Sequence, residues 1–158
     1  MNEATGLWNT GDCAKKQHFI CQYIKGKTAS PTPPPPDFTK TGGCQDGWYR
    51  YRNRCFLYIG LQKQSDRKIF IDAENDCSTK GGHLASVYDD FYNSFISSNL
   101  FRGPSKNVWI GLRFNTLNFA SWTDEQHITY TNWGPSEPSK QNSGKGRKNI
   151  FRCLMKIF

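Results

Sequence analysis

No stretch of this chain approaches the ~20 consecutive apolar residues that a membrane-crossing helix needs, and no early segment joins a basic start to a long apolar run. The sequence as it stands is expected to be soluble and to rely on a secretion signal from elsewhere. Its six cysteines contain no C-x-x-C spacing of the kind zinc sites prefer. Histidine is scarce: His18, His83 and His127 are the only three, with no His-Glu-x-x-His pattern and no Ser, Cys or Asp in a nucleophile-elbow context. The paired carboxylates Asp89-Asp90 and Asp124-Glu125 are sequence neighbours whose side chains point apart, which suits a helix start or a turn better than acid/base work. An enzyme is therefore not expected. No helix-turn-helix or RNP motif is present, so nucleic acid is not an expected partner. No Asn-x-Ser/Thr sequon occurs either, which lends no help to an extracellular reading. Between Ser139 and Cys153 there is no acidic residue at all.

What is present is basic, aromatic and cysteine-bearing. Lysine and arginine number 21 against 13 acidic residues, a net charge of +8, and aromatic residues make up 15% of the chain. Large rings bury much apolar area in a small, loop-rich core. The densest cationic stretch holds Lys140, Lys145, Arg147 and Lys148, followed by Arg152 and Lys156, and is able to dock a heparin-like polyanion or an acidic protein face. A solvated loop is the plainer reading of the same charges. The cysteines fall as two (Cys13, Cys21) and four (Cys44, Cys55, Cys77, Cys153) on either side of a proline tract, an even number on each side. That distribution points to disulfides formed in an oxidising compartment.

Pro31 to Pro36 reads as an extended, semi-rigid spacer within a linker at residues 25–43, leaving about 115 residues, 44–158, to build a core. A cytosolic SH3 or WW ligand is the alternative for the tract, and the cysteines argue against it. Ahead of the linker, His18 to Ile24 is β-prone. Beyond it, Trp48–Tyr51 and Cys55–Ile59 flank the turn-prone Arg52-Asn53-Arg54, predicting a hairpin across which Cys44 and Cys55 are able to meet. Ile69, Ala73 and Cys77, with Phe70 and Glu74, repeat at helical spacing and end at Lys80-Gly81-Gly82. Ser86-Val87-Tyr88-Asp89 has the form of a capping box, and Tyr88, Phe91, Tyr92, Phe95 and Ile96 follow as the apolar face of a second helix. Val108–Leu112, His127–Thr131 and Ile150–Met155 are strand-like. Two helices followed by strands predict an α+β architecture.

From Cys44 onward the order of features resembles a C-type lectin-like domain of the long form. The matching residues are Cys44, Gly47-Trp48, Cys55-Phe56, Ala73 with Cys77, Gly82 to Ser86, Trp109 to Leu112, Trp122-Thr123-Asp124, and Tyr130 with Asn132-Trp133. Residues 1–24, with Trp8-Asn9-Thr10, Cys13 and Phe19-Ile20-Cys21, resemble the end of such a domain. The whole looks like a module boundary in the mannose receptor family, the match weakening from about Ser139. The resemblance implies two helices with small antiparallel sheets, and a Cys44–Cys55 bridge. It also implies that Cys77 pairs with a final-strand cysteine and Cys153 with one following the Trp-Asn-Asp-like tripeptide. Two arrangements follow. Residues 1–24 are either the remnant of a preceding module, with 44–158 truncated and four thiols unmatched, or they fold back to give Cys21–Cys77 and Cys13–Cys153. A local Cys13–Cys21 bridge is a third.

Sugar-binding members of that family hold calcium through a Glu-Pro-Asn or Gln-Pro-Asp tripeptide, a further glutamate and a late Asn-Asp, a set of hard oxygens suited to the ion. Here the corresponding positions read Glu137-Pro138-Ser139 and Asn9-Thr10, which lose a side-chain carbonyl and a carboxylate. No metal or other cofactor is expected. The reading is a calcium-independent extracellular recognition module of an endocytic receptor, binding a protein or glycoprotein. Its candidate contacts are Glu137, Lys140, Lys145, Arg147 and Lys148. A calcium-dependent lectin and a sulfated-polyanion binder are the alternatives. Trp122, Tyr130 and Trp133 read as core before they read as contacts.

Overall fold

In the computed structural model, residues 6–25, 43–60, 63–99, 107–115, 119–138 and 152–156 are described. Within them lie β1 (Trp8–Asp12), β2 (His18–Ile24), β3 (Tyr49–Tyr51), β4 (Arg54–Ile59), α1 (Phe70–Thr79), β5 (His83–Leu84), α2 (Asp90–Asn99), β6 (Val108–Phe114), β7 (Ala120–Trp122) and β8 (Arg152–Lys156). The strands form one sheet in the order β1-β8-β6-β2-β4-β3, with β5 on β2 and β7 on β6. This is the expected α+β plan. The sheet is mixed, because β2 runs parallel to β6 at His18–Val108 and Phe19–Trp109 while the other named pairs are antiparallel.

β2 explains the architecture. It pairs with β4 over six residues, from Phe19–Ile59 to Ile24–Arg54, and with β5 at Cys21–Leu84 and Gln22–His83. With a packed cluster over each of its faces the middle of the strand is apolar on both, and Phe19, Ile20 and Cys21 are all fully buried. The period-2 alternation then sorts residues between two cores. Phe19, Cys21, Cys55 and Trp109 face a cluster with Phe70, Ala73 and Cys77 of α1. Ile20, Phe56, Val108, Ile110 and Leu112 face the other, with Trp8 and with Tyr92 and Ile96 of α2.

The bridges are Cys13–Cys153, Cys21–Cys77 and Cys44–Cys55, with Cα separations of 5.2, 5.3 and 5.7 Å. No cysteine is free. This is the fold-back pairing of the two arrangements above, and β1 and β2 complete the sheet that the later strands build. Cys44 sits in the loop before β3 and not in a strand, so its bridge to Cys55 ties a loop to the hairpin.

Three local expectations change. Helix α2 starts at Asp90, and the cap is Asp89, whose Oδ1 accepts the Tyr92 N–H at 2.8 Å. Ser86 is fully buried upstream and caps nothing. The buried face of α2 is Tyr92, Asn93, Ile96 and Ser97, which turns Phe91 outward at 66% exposure. Residues 127–131 form no strand; Thr129 Oγ1 instead donates to the Tyr88 carbonyl at 3.0 Å. Helix α1 matches its expected span, with Phe70, Ala73 and Cys77 buried.

Candidate ligand-binding site

Trp8 organises the end of the sheet where the sequence places its candidate site. Its indole is fully buried and meets Trp122, Tyr130 and Trp133 edge-on at 5.9, 5.6 and 5.7 Å. Its Nε1–H donates to Asn93 Oδ1 at 3.0 Å, which gives the buried indole the partner it needs. The Trp8 N–H donates to the Asn132 carbonyl at 2.7 Å, and the Gly134 N–H donates to the Trp8 carbonyl at 2.9 Å. Asn93 and Asn132 both donate to the Gly6 carbonyl, at 3.3 and 2.9 Å. β1 and the loop at 130–138 are thereby laced together. Trp122, Tyr130 and Trp133 all pack on this core, as the core reading expects.

That lacing delivers Asn9 and Thr10 to Glu137. The Glu137 N–H donates to the Gly134 carbonyl at 3.1 Å, Ser136 takes φ 62°, and the Glu137–Pro138 peptide is cis. Gly134 has no room for a side chain, since a Cβ there would stand 2.5 Å from Asn9 Oδ1. Glu137 Oε2 accepts two hydrogen bonds from Thr10, one from its N–H at 2.9 Å and one from its hydroxyl at 2.6 Å. Charge-assisted bonds of this length are the strong kind. Where the lectin-like pattern has a late carboxylate beside this glutamate, this chain has a hydroxyl that donates to it.

Calcium takes six to eight oxygens, mostly carboxylate and carbonyl. The described residues gathered here supply one carboxylate, already occupied by Thr10, and the amide oxygen of Asn9. Among the described residues no group of three or more His, Cys, Asp or Glu is placed to hold a metal. Ser139, Lys140, Lys145, Arg147 and Lys148 lie outside the described residues.

Two other polar clusters hold the fold. Asp124 Oδ2 accepts from Gln22 Nε2 at 3.0 Å and from the Tyr88 hydroxyl at 2.8 Å. The Arg54 guanidinium lies 4.0 Å from that carboxylate and 4.1 Å from the Tyr88 ring centre. Burial, with the Asp124 bond in support, pushes the Tyr88 hydroxyl up to about 12. Glu74 pairs with His83 at 2.6 Å and accepts the Leu84 N–H at 2.9 Å, tying α1 to β5. The Glu74 hydrogen bond holds the His83 imidazole above its usual range.

A further feature was not anticipated. Arg52, at the β3–β4 turn with φ 53°, places its guanidinium 5.3–5.4 Å from the ring centres of Tyr51, Phe91 and Tyr92 and pairs with Asp89 at 2.9 Å. The arginine sits beside one exposed ring, Phe91, and against the half-buried Tyr51 and the buried Tyr92, and arginine with an aromatic side chain has the composition of interface anchors. The sequence signal was the Arg52-Asn53 turn itself, read only as a hairpin connection.

Fold and bridges define a C-type lectin domain. The Lectin C-type domain family matches residues 56–148, and the chain belongs to it. Its relatives are receptors. It is 33% identical over 159 residues to the "Secretory phospholipase A2 receptor" of Mus musculus, a match covering 98% of this chain and 10% of that receptor. It is 29% identical over 148 residues to the "C-type mannose receptor 2" of Homo sapiens, covering 94% of this chain and 10% of that one. With "Lymphocyte antigen 75" of Homo sapiens it shares 33% over 139 residues, 85% of this chain and 8% of the other. These place its lectin-like domain in the mannose receptor family. The chain spans about a tenth of the length of the receptors it matches. No described helix is long and apolar enough to cross a membrane.

Proposed function

We propose that this chain is an extracellular recognition module that binds a protein or glycoprotein ligand without calcium, in the service of endocytic uptake, and that it catalyses nothing. The observation that carries the calcium-independent reading is the closure of Glu137 Oε2 by the Thr10 N–H and hydroxyl. An ion entering there would have to displace both donors and would find too few oxygens to replace its water. The Arg52 cluster supports a protein contact, since arginine and tyrosine are enriched among the anchors of protein interfaces. One relative's name also supplies a ligand class to test, a secretory phospholipase A2.

The test is thermal melting with millimolar calcium or with chelator, alongside surface plasmon resonance against an immobilised secretory phospholipase A2. The reading expects one melting temperature in both conditions, because a ligand that binds only the folded state would raise it. A calcium-dependent rise, with calcium-dependent retention on a mannose column, would support the lectin alternative instead. The net charge of +8 and the acid-free interval from Ser139 to Cys153 favour one second reading, a sulfated polyanion. It predicts retention on heparin that falls steeply with salt.

A further inference from the structure

We propose that the groove along the outer face of α1 is a binding site in its own right, separate from the Glu137 end, and that it takes a short acidic saccharide. Its ligand class is a pair of sugar rings bearing hydroxyls and one carboxylate or sulfate. The groove has a volume of about 520 Å³, within the range of small-molecule sites. One wall is the stripe Asp72, Asn75, Asp76 and Thr79, which recurs at helical spacing on the face of α1 turned away from the buried Phe70, Ala73 and Cys77. The other is built from Lys16, in the β1–β2 loop, and from Ser65, Arg67 and Lys68 ahead of the helix.

Backbone contacts fix the second wall against the first. Gln17 and Lys68 exchange hydrogen bonds at 2.9 and 3.0 Å, and the Phe70 N–H donates to the Cys13 carbonyl at 3.0 Å. The Trp109 indole N–H donates to the Lys68 carbonyl at 3.1 Å. A site held in this way has little freedom left to lose when a ligand enters.

The groove offers two kinds of partner. The Thr79 hydroxyl donates to the Asp76 carbonyl at 2.7 Å, and the Ser65 hydroxyl donates to Asp66 Oδ1 at 3.2 Å. Both have committed their protons and present lone pairs, as the Asp72 carboxylate does, so they are acceptors for the O–H groups of a sugar. The cations are the second kind. Asp76 accepts from Lys68 and, at 2.6 Å, from Lys80, so one carboxylate faces two lysines. Lys16 and Arg67 form no ion pair among the described residues, and Arg67 Nε is buried there without a hydrogen-bond partner. Four cations against Asp72 and Asp76 leave two positive charges unanswered. A neutral sugar would leave them so. A bare anion would ignore the acceptors and face Asp72, and a densely charged polyanion would meet both carboxylates. A saccharide with one acid group satisfies both sets, its acid on Lys16 and Arg67 and its hydroxyls on Asp72, Ser65 and Thr79. Asp72 and Thr79 stand about 10 Å apart along the helix, a length that two linked rings cover and one does not.

The experiment is a titration of the oxidised, 15N-labelled chain followed by amide NMR, with chelator present throughout. The probes are cellobiuronic acid and sulfated lactose, with cellobiose, lactose and sodium sulfate as comparisons. The expected result is saturable shifts of the Asn75, Asp76 and Thr79 amides with the acidic disaccharides. Their Kd should lie at least about tenfold below those of the neutral sugars and sodium sulfate, the worth of one charge-assisted hydrogen bond. The tighter of the two acidic probes identifies the acid group. Lys16→Gln, at an exposed position, and Arg67→Gln should each weaken binding about tenfold, and Asp72→Ala should erode the preference over sodium sulfate. The proposal is overturned if no groove amide shifts, if a neutral sugar or sodium sulfate binds as tightly, or if Lys16→Gln leaves the affinity unchanged. No protein ligand enters the titration, so its failure would leave the reading of a protein contact to its own test.

Discussion

The two cores on opposite faces of the sheet are held by different means. On the α1 side the apolar cluster is stapled, with Cys21, Cys44, Cys55, Cys77 and Cys153 all inside it. On the α2 side the cluster has no disulfide and rests on Trp8, with its three ring partners and its bond to Asn93. The covalent face limits how far the unfolded chain can spread, whereas the aromatic face gains its stability from burial in the folded state. The candidate site grows from the aromatic face, because the strand that carries Trp8 also carries Asn9 and Thr10. Damage to that face should therefore reach this site, and damage to the stapled face should reach stability and spare it.

The sharpest break is Trp8→Ala. Losing the ring should cost ~3–5 kcal/mol, and stranding the buried Asn93 oxygen a further ~1–3 kcal/mol. Urea melts should show that loss, and ligand binding should fall in whatever protein remains folded. Removing the Cys21–Cys77 bridge as a paired serine variant should cost about 4 kcal/mol for a loop of this length. Binding per folded molecule should then be unchanged at low temperature.

Smaller changes sharpen the contrast. Thr10→Asp sets a second carboxylate against Glu137, and the melting temperature should drop by the equivalent of ~1–3 kcal/mol at neutral pH. Part of that loss should return with calcium, unlike the parent protein. Arg52→Ala should leave the melting temperature nearly unchanged, its pair with Asp89 being exposed, while weakening binding of a protein ligand. The smallest effect is a pH dependence. His83 is held above its ordinary 6.5 by Glu74, so the pair's contribution is fully present below pH 6.5 and fades as the pH rises through the raised value. Melting temperature against pH should lose that slope in His83→Gln.

Much of this was legible in the residues. Cys77 on a buried helical face and the hairpin around Arg52-Asn53 both follow from short-range pattern. Phe91 was misplaced because apolar spacing alone cannot tell which of two adjacent stripes faces the core. The polar Asn93 and Ser97 hold the buried stripe, hydrogen-bonded to Trp8, Gly6 and the helix backbone. His127 to Thr131 alternates like a strand but pairs with none, since alternation specifies a face and not a partner. The Thr10–Glu137 contact spans 127 residues, and residue types at two distant positions carry no sign of which of them will donate to the other.

The account rests on residues 6–25 belonging to the same fold as residues 43–156, and disulfide mapping of the oxidised chain by non-reducing peptide mass spectrometry tests this most directly. It predicts Cys13–Cys153, Cys21–Cys77 and Cys44–Cys55 with no free thiol. A local Cys13–Cys21 bridge, or free Cys77 and Cys153 beside an intact Cys44–Cys55, would contradict it.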